Sequence, residues 1–181
     1  VVMKRLKIDL DTKPDLTQWQ SFLKRHKHPR SIVTIGLIGK YVELQDSYKS
    51  ILESFVHAGA ANEVEVKVIP VHSSDLDEKD VHKKFESFDG VLVAPGFGER
   101  GIEGKINAIK YVREQKIPFF GICLGMQMAV IEYARNVLQL PSANSVEMDA
   151  DTPHPVNSLM DEQRNIANKG GTMRLGVWAC A

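Results

Sequence analysis

Cys123 is the residue of this sequence whose surroundings best suit chemistry. It lies between Gly121 and Gly125 in the run PFFGICLGMQ, residues 118–127. A G-x-C-x-G spacing after an apolar strand predicts a sharp, strained strand-to-helix turn that raises the central side chain above a sheet. Glycine is favoured at the two flanking positions because side chains there would collide with the helix and a neighbouring strand. The pattern predicts a nucleophile, while spacing alone leaves open a small buried cysteine that merely packs.

A nucleophilic cysteine needs further groups around it. The backbone N–H of Leu124 would supply half of an oxyanion hole, and Gly96 in a second glycine-rich loop, residues 94–98, could supply the other half. A free cysteine thiol has a pKa of about 8.5 and a helix N-terminus helps only slightly, so a general base such as a histidine held by a carboxylate is also needed. No sequence pattern marks any of the six histidines as this base: His26, His28, His57, His72, His82 and His154.

The elements that must position these loops alternate regularly along the chain. Apolar, β-branched runs separated by amphipathic helices predict an α/β fold with a doubly wound, mostly parallel sheet and helices on both faces. In such sheets the ligand site lies at the carboxyl ends of the strands. Asp46 is predicted to cap the helix after the first strand, and the helix after Cys123, apolar almost all round, is predicted to be buried. Strands are predicted at 31–39, 63–71, 89–95 and 117–122, with helices at 14–25, near 48–55, at 76–86, from 102 to 112 and from 124, and a further strand at 171–181.

Composition narrows the possible functions. The 181 residues suit one domain with a short appendage, and the 23 basic and 23 acidic residues balance. This balance gives no electrostatic case for a nucleic-acid or membrane partner. Two cysteines are too few for a disulfide framework and form no metal-ligand spacing, which fits the reducing cytoplasm. We therefore expect a cytoplasmic protein without a metal site.

Five segments together carry a family resemblance: GLIGKYVELQDSYKS, APGFGERGIEGK, GICLGMQ, ANSVEM and GGTMRLG. They resemble the class I glutamine amidotransferase domains of the CTP synthase family, from about Ser31 to the last residue. GICLGMQ alone is typical of the broader amidotransferase class, whereas GKYVELQDSYKS and NKGGTMRLG resemble the CTP synthases in particular. The resemblance implies a flavodoxin-like sheet. It divides the chain into a linker from an N-terminal synthetase domain, residues 1–30, and a C-terminally incomplete amidotransferase domain, residues 31–181.

The resemblance also implies roles for individual residues. Cys123 matches the nucleophile that attacks the side-chain amide of L-glutamine, giving a glutamyl thioester and ammonia. Gly96 and Leu124 match the residues whose N–H groups hold the tetrahedral oxyanion. A carboxylate in the glutamine pocket can pair with the α-ammonium of the substrate. The matches to that pocket are Phe97, Gln127 and Glu147.

Further partners are implied for the full-length enzyme. In the family, ammonia crosses a tunnel to the synthetase domain and aminates UTP that ATP has phosphorylated, with Mg²⁺, while GTP activates the glutaminase step. The resemblance implies a homotetramer and no cofactor in this domain itself. Arg100 matches an arginine implicated in GTP activation. Arg174 belongs to GTMRLG, a segment near the domain interface in the family.

The sequence departs from the family pattern in two places. Pro95 replaces one glycine of the family's Pro-Gly-Gly-Phe-Gly, so an oxyanion contact must come from Gly96 or beyond. The family's His-Pro-Glu motif, which follows GTMRLG, is not found, and His154-Pro155-Val156 lacks its carboxylate. We therefore expect little glutaminase activity from this sequence by itself. A non-catalytic regulatory or assembly module on the same fold stays an alternative, as does a different cysteine hydrolase or chaperone on a flavodoxin-like sheet.

Overall fold

The computed structural model describes residues 2–8 and 14–158. Short 3₁₀ turns at Gln45–Tyr48 and Ser73–Asp75 accompany the regular elements. The helices of the described ranges are α1 (Val2–Arg5), α2 (Thr17–Lys27), α3 (Lys49–Asn62), α4 (Glu78–Phe85), α5 (Ile102–Glu114) and α6 (Leu124–Asn136). The strands are β1 (Ser31–Gly39), β2 (Val64–His72), β3 (Gly90–Val93), β4 (Phe119–Gly121), β5 (Asn144–Ser145) and β6 (Pro155–Asn157). None of these helices combines the length and apolarity needed to cross a bilayer.

Four strands form a parallel sheet in the order β2-β1-β3-β4. Leu37 of β1 pairs with Leu92 of β3, which in turn pairs with Phe120 of β4. After β1 the chain adds β2 on one side of the sheet, and after β3 it adds β4 on the other side. A topological switch point therefore lies between β1 and β3. Ligand sites of open α/β sheets lie at such points, beyond the carboxyl ends of the strands.

Both faces of the sheet are covered, which confirms the predicted architecture. Successive residues of a strand point to opposite faces, and in β1 both Leu37 and Ile38 are buried. Leu37 belongs to an apolar cluster with Tyr48 and residues of α3, while Ile38 packs with residues of α4, α5 and α6. The apolar cluster on the face of Ile38 is the larger of the two and includes residues of α5 and α6. The loops that enter these two helices therefore lie on the side of the sheet with the larger cluster.

The lead-in helix α2 contacts the sheet domain through aromatic rings. The ring of Phe22 lies 5.1 Å from the imidazole of His57 on α3 and 5.3 Å from the ring of Trp19, between centroids. The helix predicted at 14–25 is therefore present, displaced slightly toward the C-terminus. These contacts join α2 to α3.

The prediction that Asp46 caps the following helix is wrong. Asp46 lies in a 3₁₀ turn, and the N-cap residue of α3 is Tyr48, without a side-chain capping bond. The physical reason is the buried Tyr48 side chain, whose hydroxyl oxygen accepts hydrogen bonds from the backbone N–H groups of Lys40 and Tyr41. This anchor holds the chain against the end of β1 and delays the start of the helix.

The prediction that α6 is buried almost all round is also wrong. Leu124, Met128 and Ile131 are buried against the sheet side of the helix. The opposite side exposes apolar residues, because the described elements cover the helix from one direction only. The exposed residues are Met126, Val130, Tyr133 and Val137.

The chain after α6 forms a short two-stranded parallel pair, β5 with β6, that sequence periodicity did not predict. The pair is too short to show a period of two residues in the sequence. The strand predicted at 171–181 lies outside the described residues.

Candidate active site

Cys123 occupies the junction between β4 and α6 with a backbone conformation that side chains rarely adopt. Its φ is 53° and its ψ is −110°, and its side chain is exposed. A non-glycine residue in such a conformation costs about 1–3 kcal/mol and persists only where its surroundings impose it. The strained turn predicted from the G-x-C-x-G spacing is confirmed, and the alternative of a buried packing cysteine is wrong.

The two flanking glycines are needed for space. A methyl group placed on Gly121 would come within 2.7 Å of the backbone carbonyl group of Gly125. A methyl group placed on Gly125 would overlap the backbone oxygen of Val93 on the neighbouring strand. These are the collisions, with the helix and the adjacent strand, that the sequence pattern predicts. They pin the turn against β3.

Two backbone donors stand beside this turn. Leu124 begins α6, and its side chain lies within 3.6 Å of the point where Gly96 would carry a Cβ atom. In residues 2–8 and 14–158, the N–H groups of Gly96 and Leu124 donate to no protein acceptor. An unpaired N–H group retains its donor capacity, so each of these amides can donate to a ligand.

Two buried lysines, which the sequence analysis did not identify, donate hydrogen bonds to backbone oxygens of the loop that contains Gly96. Lys40 follows β1 directly and its Nζ donates to the backbone oxygens of Phe97 (2.5 Å) and Gly98 (2.8 Å). Lys105 lies in α5 and its Nζ donates to the backbone oxygen of Ala94 (3.2 Å). A signal was available, because Lys105 falls on the apolar face of its helix, where a cation is out of place.

Burial lowers the pKa of both lysines. Desolvation lowers the pKa of Lys105 to about 8, with a further lowering by the charge of Lys40 and an opposing effect of Cys123. Desolvation also lowers the pKa of Lys40, and the charge of Arg100 acts in the same direction. The effect of Cys123 on the pKa of Lys105 is the smallest of these three and opposes the other two.

The residues predicted for the glutamine pocket lie on three separate segments of the described chain. Phe97 projects from its loop with 83% of its surface exposed. Gln127 lies one turn into α6 and is half-buried, and its backbone oxygen accepts a hydrogen bond from Asn157 Nδ2 (3.2 Å). The backbone oxygen of Asn157 accepts from Val146 N–H (2.9 Å), next to Glu147. This chain of contacts joins Val146, the residue before the exposed Glu147, to Gln127 on α6.

The remaining residues considered in the sequence analysis either have no described contact with Cys123 or lie outside the described ranges. Arg100 is exposed in the loop before α5, and its positive charge contributes to lowering the pKa of Lys40. Arg174 lies outside the described residues. His154 is half-buried, and its backbone oxygen accepts from Asn144 N–H (3.1 Å) between β5 and β6. Across residues 2–8 and 14–158, no group of three or more His, Cys, Asp or Glu side chains has a metal-binding arrangement.

Comparisons of the sequence with a family model and with individual proteins agree with one another. The family model for class-I glutamine amidotransferases matches residues 43–179. The chain is 64% identical over 180 residues to the CTP synthase of Christiangramia forsetii, covering 99% of this chain and 33% of that protein. It is 55% identical over 180 residues to the CTP synthase of Ruminiclostridium cellulolyticum, with the same coverage of 99% and 33%. The chain thus spans about a third of the length of the curated relatives it matches.

Structural comparison points the same way. The fold is similar to a solved structure of the CTPS glutaminase domain from Trypanosoma brucei with bound acivicin. The two share a TM-score of 0.70 and 39% sequence identity, over 74% of this chain and 52% of that one.

Proposed function

The chain belongs to the class I glutamine amidotransferase family, and from this premise we propose that it hydrolyses the side-chain amide of L-glutamine with Cys123 as the nucleophile. The observation that carries the proposal is the exposed thiol on a strained turn, together with the N–H groups of Gly96 and Leu124, which have no acceptor among residues 2–8 and 14–158. A thiol held this way can approach a carbonyl carbon while the amides receive its oxygen.

The chemistry divides into two steps. The Cys123 thiolate attacks the amide carbon, and the tetrahedral oxyanion receives hydrogen bonds from the Gly96 and Leu124 N–H groups. Collapse breaks the C–N bond, a proton passes to the nitrogen, and ammonia leaves a glutamyl thioester. Water then adds to the thioester, releasing glutamate and regenerating the thiol. The proton transfers need a base, which we assign, on the resemblance, to the histidine of the family's His-Pro-Glu motif in a longer protein.

The substrate would be held from three sides. Glu147 offers a carboxylate to the α-ammonium of glutamine, and Gln127 offers an amide to its polar groups. Phe97, exposed beside Gly96, would cover the aliphatic part of the substrate. The bonds from Val146 to Asn157 and from Asn157 to Gln127 support this assignment, because they hold the residue before Glu147 close to the helix that begins after the nucleophile.

The wider reaction follows from the relatives that carry the name CTP synthase. We place the chain in a longer protein whose N-terminal synthetase domain uses the released ammonia to aminate UTP to CTP, consuming ATP with Mg²⁺. In that protein Arg100 would contribute to GTP activation and Arg174 to the domain interface. Such an enzyme would act as a homotetramer in the cytoplasm.

The test compares two nitrogen sources in the longer protein. Cys123→Ala is expected to reduce glutamine hydrolysis and glutamine-dependent CTP formation to background, while CTP formation from added ammonia stays within twofold of the unmodified protein. Loss of the ammonia-dependent reaction as well would assign Cys123 a structural role. Full glutamine hydrolysis in Cys123→Ala would overturn the role of Cys123 as the nucleophile. No glutamine hydrolysis in the unmodified longer protein would instead favour the non-catalytic regulatory or assembly module.

A further inference from the structure

Lys40 and Lys105 are cations in unusual positions. Their exposed fractions are 4% and 0%, and in residues 2–8 and 14–158 neither forms a salt bridge with a carboxylate. Burying a charge without a counter-ion is costly, so such residues persist where their hydrogen bonds serve a purpose. The described hydrogen-bond acceptors of both ammonium groups are backbone oxygens of one loop, residues 94–98.

The hydrogen bonds from the two lysines lie on both sides, along the chain, of the peptide unit that carries the Gly96 N–H group. Lys105 holds the oxygen of Ala94 on one side, and Lys40 holds the oxygens of Phe97 and Gly98 on the other. Peptide units are planar, so fixing an oxygen fixes the whole unit. Between the two anchors lies Pro95, whose ring locks its φ.

The two anchors come from separate elements that meet at the switch point of the sheet. Lys40 extends from the carboxyl end of β1, and Lys105 reaches up from the buried face of α5. Lys105 Nζ lies 3.7 Å from the point where Gly96 would carry a Cβ atom. Both cations therefore stand behind the loop, on the side away from solvent, while Phe97 points outward.

We propose that Lys40 and Lys105 are positioning residues that hold loop 94–98 with its Gly96 N–H directed at the oxyanion formed during glutamine hydrolysis. The inference rests on the proposed function. A donor held in advance stabilises the transition state without reorganising, so its support should appear in kcat rather than in KM. The positive charge of the two groups, close to the developing oxyanion, acts in the same direction.

The experiment uses the longer protein with Lys40→Met, Lys105→Met and the control Lys110→Met, whose lysine pairs with Glu78 at the surface. Each of the first two variants is expected to lower kcat for glutamine hydrolysis about 10- to 100-fold, with KM within about threefold. The double variant should lose less than the product of the two effects, because both act through one loop. Lys110→Met should keep the unmodified kcat.

Two further measurements separate positioning from simple folding. CTP formation from added ammonia should be unchanged in all variants, and Lys40→Arg, which retains donors for two oxygens, should recover most of the kcat lost in Lys40→Met. If a methionine variant fails to fold, the milder variant Lys40→Gln or Lys105→Gln is used in its place. We expect each glutamine variant to lower kcat for glutamine hydrolysis at least threefold. Unmodified kcat in folded variants, or a raised KM with unchanged kcat, would overturn the inference. Cys123→Ala assayed in parallel distinguishes this from failure of the proposed function, since that failure leaves Cys123→Ala active.

Discussion

Gly125 on α6 lies so close to the backbone oxygen of Val93 on β3 that no side chain fits between them. The same oxygen accepts a hydrogen bond from the Ile122 N–H group (3.1 Å). The residue before the cysteine and the second residue after it are thus both held against the end of β3. This double contact sets the distance between the cysteine turn and the Gly96 loop.

We expect Gly125→Ala to destabilise the chain by about 2–3 kcal/mol, because the new methyl group overlaps backbone atoms that cannot move without distorting the sheet. Urea unfolding of the 181-residue chain measures the change. Gly96→Ala is the matched control, since a methyl group there meets its neighbours at 3.6 and 3.7 Å, ordinary contact distances. The control should change the free energy of unfolding by less than about 1 kcal/mol. Equal effects of the two substitutions would contradict the close approach at Gly125.

A second prediction concerns the ion pair that joins α5 to α6. Arg113 Nη2 lies 2.8 Å from Glu132 Oε1, and Nε donates to both carboxylate oxygens of Glu132, whose side chain is 1% exposed. Arg113→Met leaves a buried carboxylate without its partner and is expected to cost about 3 kcal/mol in chemical unfolding.

The Lys110–Glu78 pair provides the surface comparison for this ion pair. Its carboxylate is largely exposed, so Lys110→Met should cost less than about 1 kcal/mol. The double variant Arg113→Met/Glu132→Leu should regain most of the lost stability, because an apolar pair needs no desolvated charge. A double variant as unstable as Arg113→Met would show that the cost does not arise from an unpaired charge.

Lys105 should make stability depend on alkaline pH. Its pKa is about 8 in the folded chain against an ordinary value of 10.5. Below pH 8 both states bind the proton, and the folded state bears the full cost of burying the charge. Between pH 8 and 10.5 the unfolded state binds more protons, so the free energy of unfolding should rise with pH by up to about 3 kcal/mol.

The measurement is the difference in unfolding free energy between the chain with Lys105 and Lys105→Met, at pH 7.5 to 10.5. A Cys123→Ala background removes the thiol that interacts with the ammonium group, and Lys40, the other charged neighbour, is common to both proteins. The difference should move in favour of Lys105 as pH rises. A difference independent of pH would contradict the depressed pKa.

The sequence predicted the parts of the site that depend on local spacing. The turn at Cys123 and the collisions at Gly121 and Gly125 follow from three residues in a row of five. The carbonyl-binding role of Lys40 could not be predicted, because its acceptors at Phe97 and Gly98 lie 57 and 58 residues away. Such contacts depend on which strands become neighbours, and periodicity does not determine strand order.

The side chains of α6 illustrate the same limit. The apolar residues all round the helix predict burial, yet Met126 and Val130 are exposed while Met128 is buried. A helical pattern identifies which residues share a face, but the number of neighbouring elements decides how many faces are covered. Asp46 failed as a cap for a similar reason, since the buried Tyr48 side chain decides where α3 begins.

The last prediction is that the 181-residue chain by itself exposes the Cys123 thiol to reagents but does not hydrolyse glutamine. Within the described residues the contacts recorded for the histidine side chains lie elsewhere: His26 and His57 pack on Phe22, His72 approaches Glu43, and His82 packs on Tyr111. None of these contacts holds an imidazole at Cys123, and without a base the thiol is a weak nucleophile at neutral pH.

Two measurements on the same sample check this. A small thiol-alkylating reagent should modify Cys123 completely, since its side chain is exposed, while glutamine hydrolysis stays at the level of Cys123→Ala. The longer protein should hydrolyse glutamine at least about a hundredfold faster, because general-base catalysis contributes roughly 10²–10⁴-fold. Turnover by the short chain comparable to that of the longer protein would place the base among the 181 residues, and His154→Ala would then be the first variant to examine. The site has two requirements, a turn that exposes the sulfur and a base that activates it. Slow glutamine turnover by the short chain together with full alkylation of Cys123 would show that the turn and the base come from different parts of the protein.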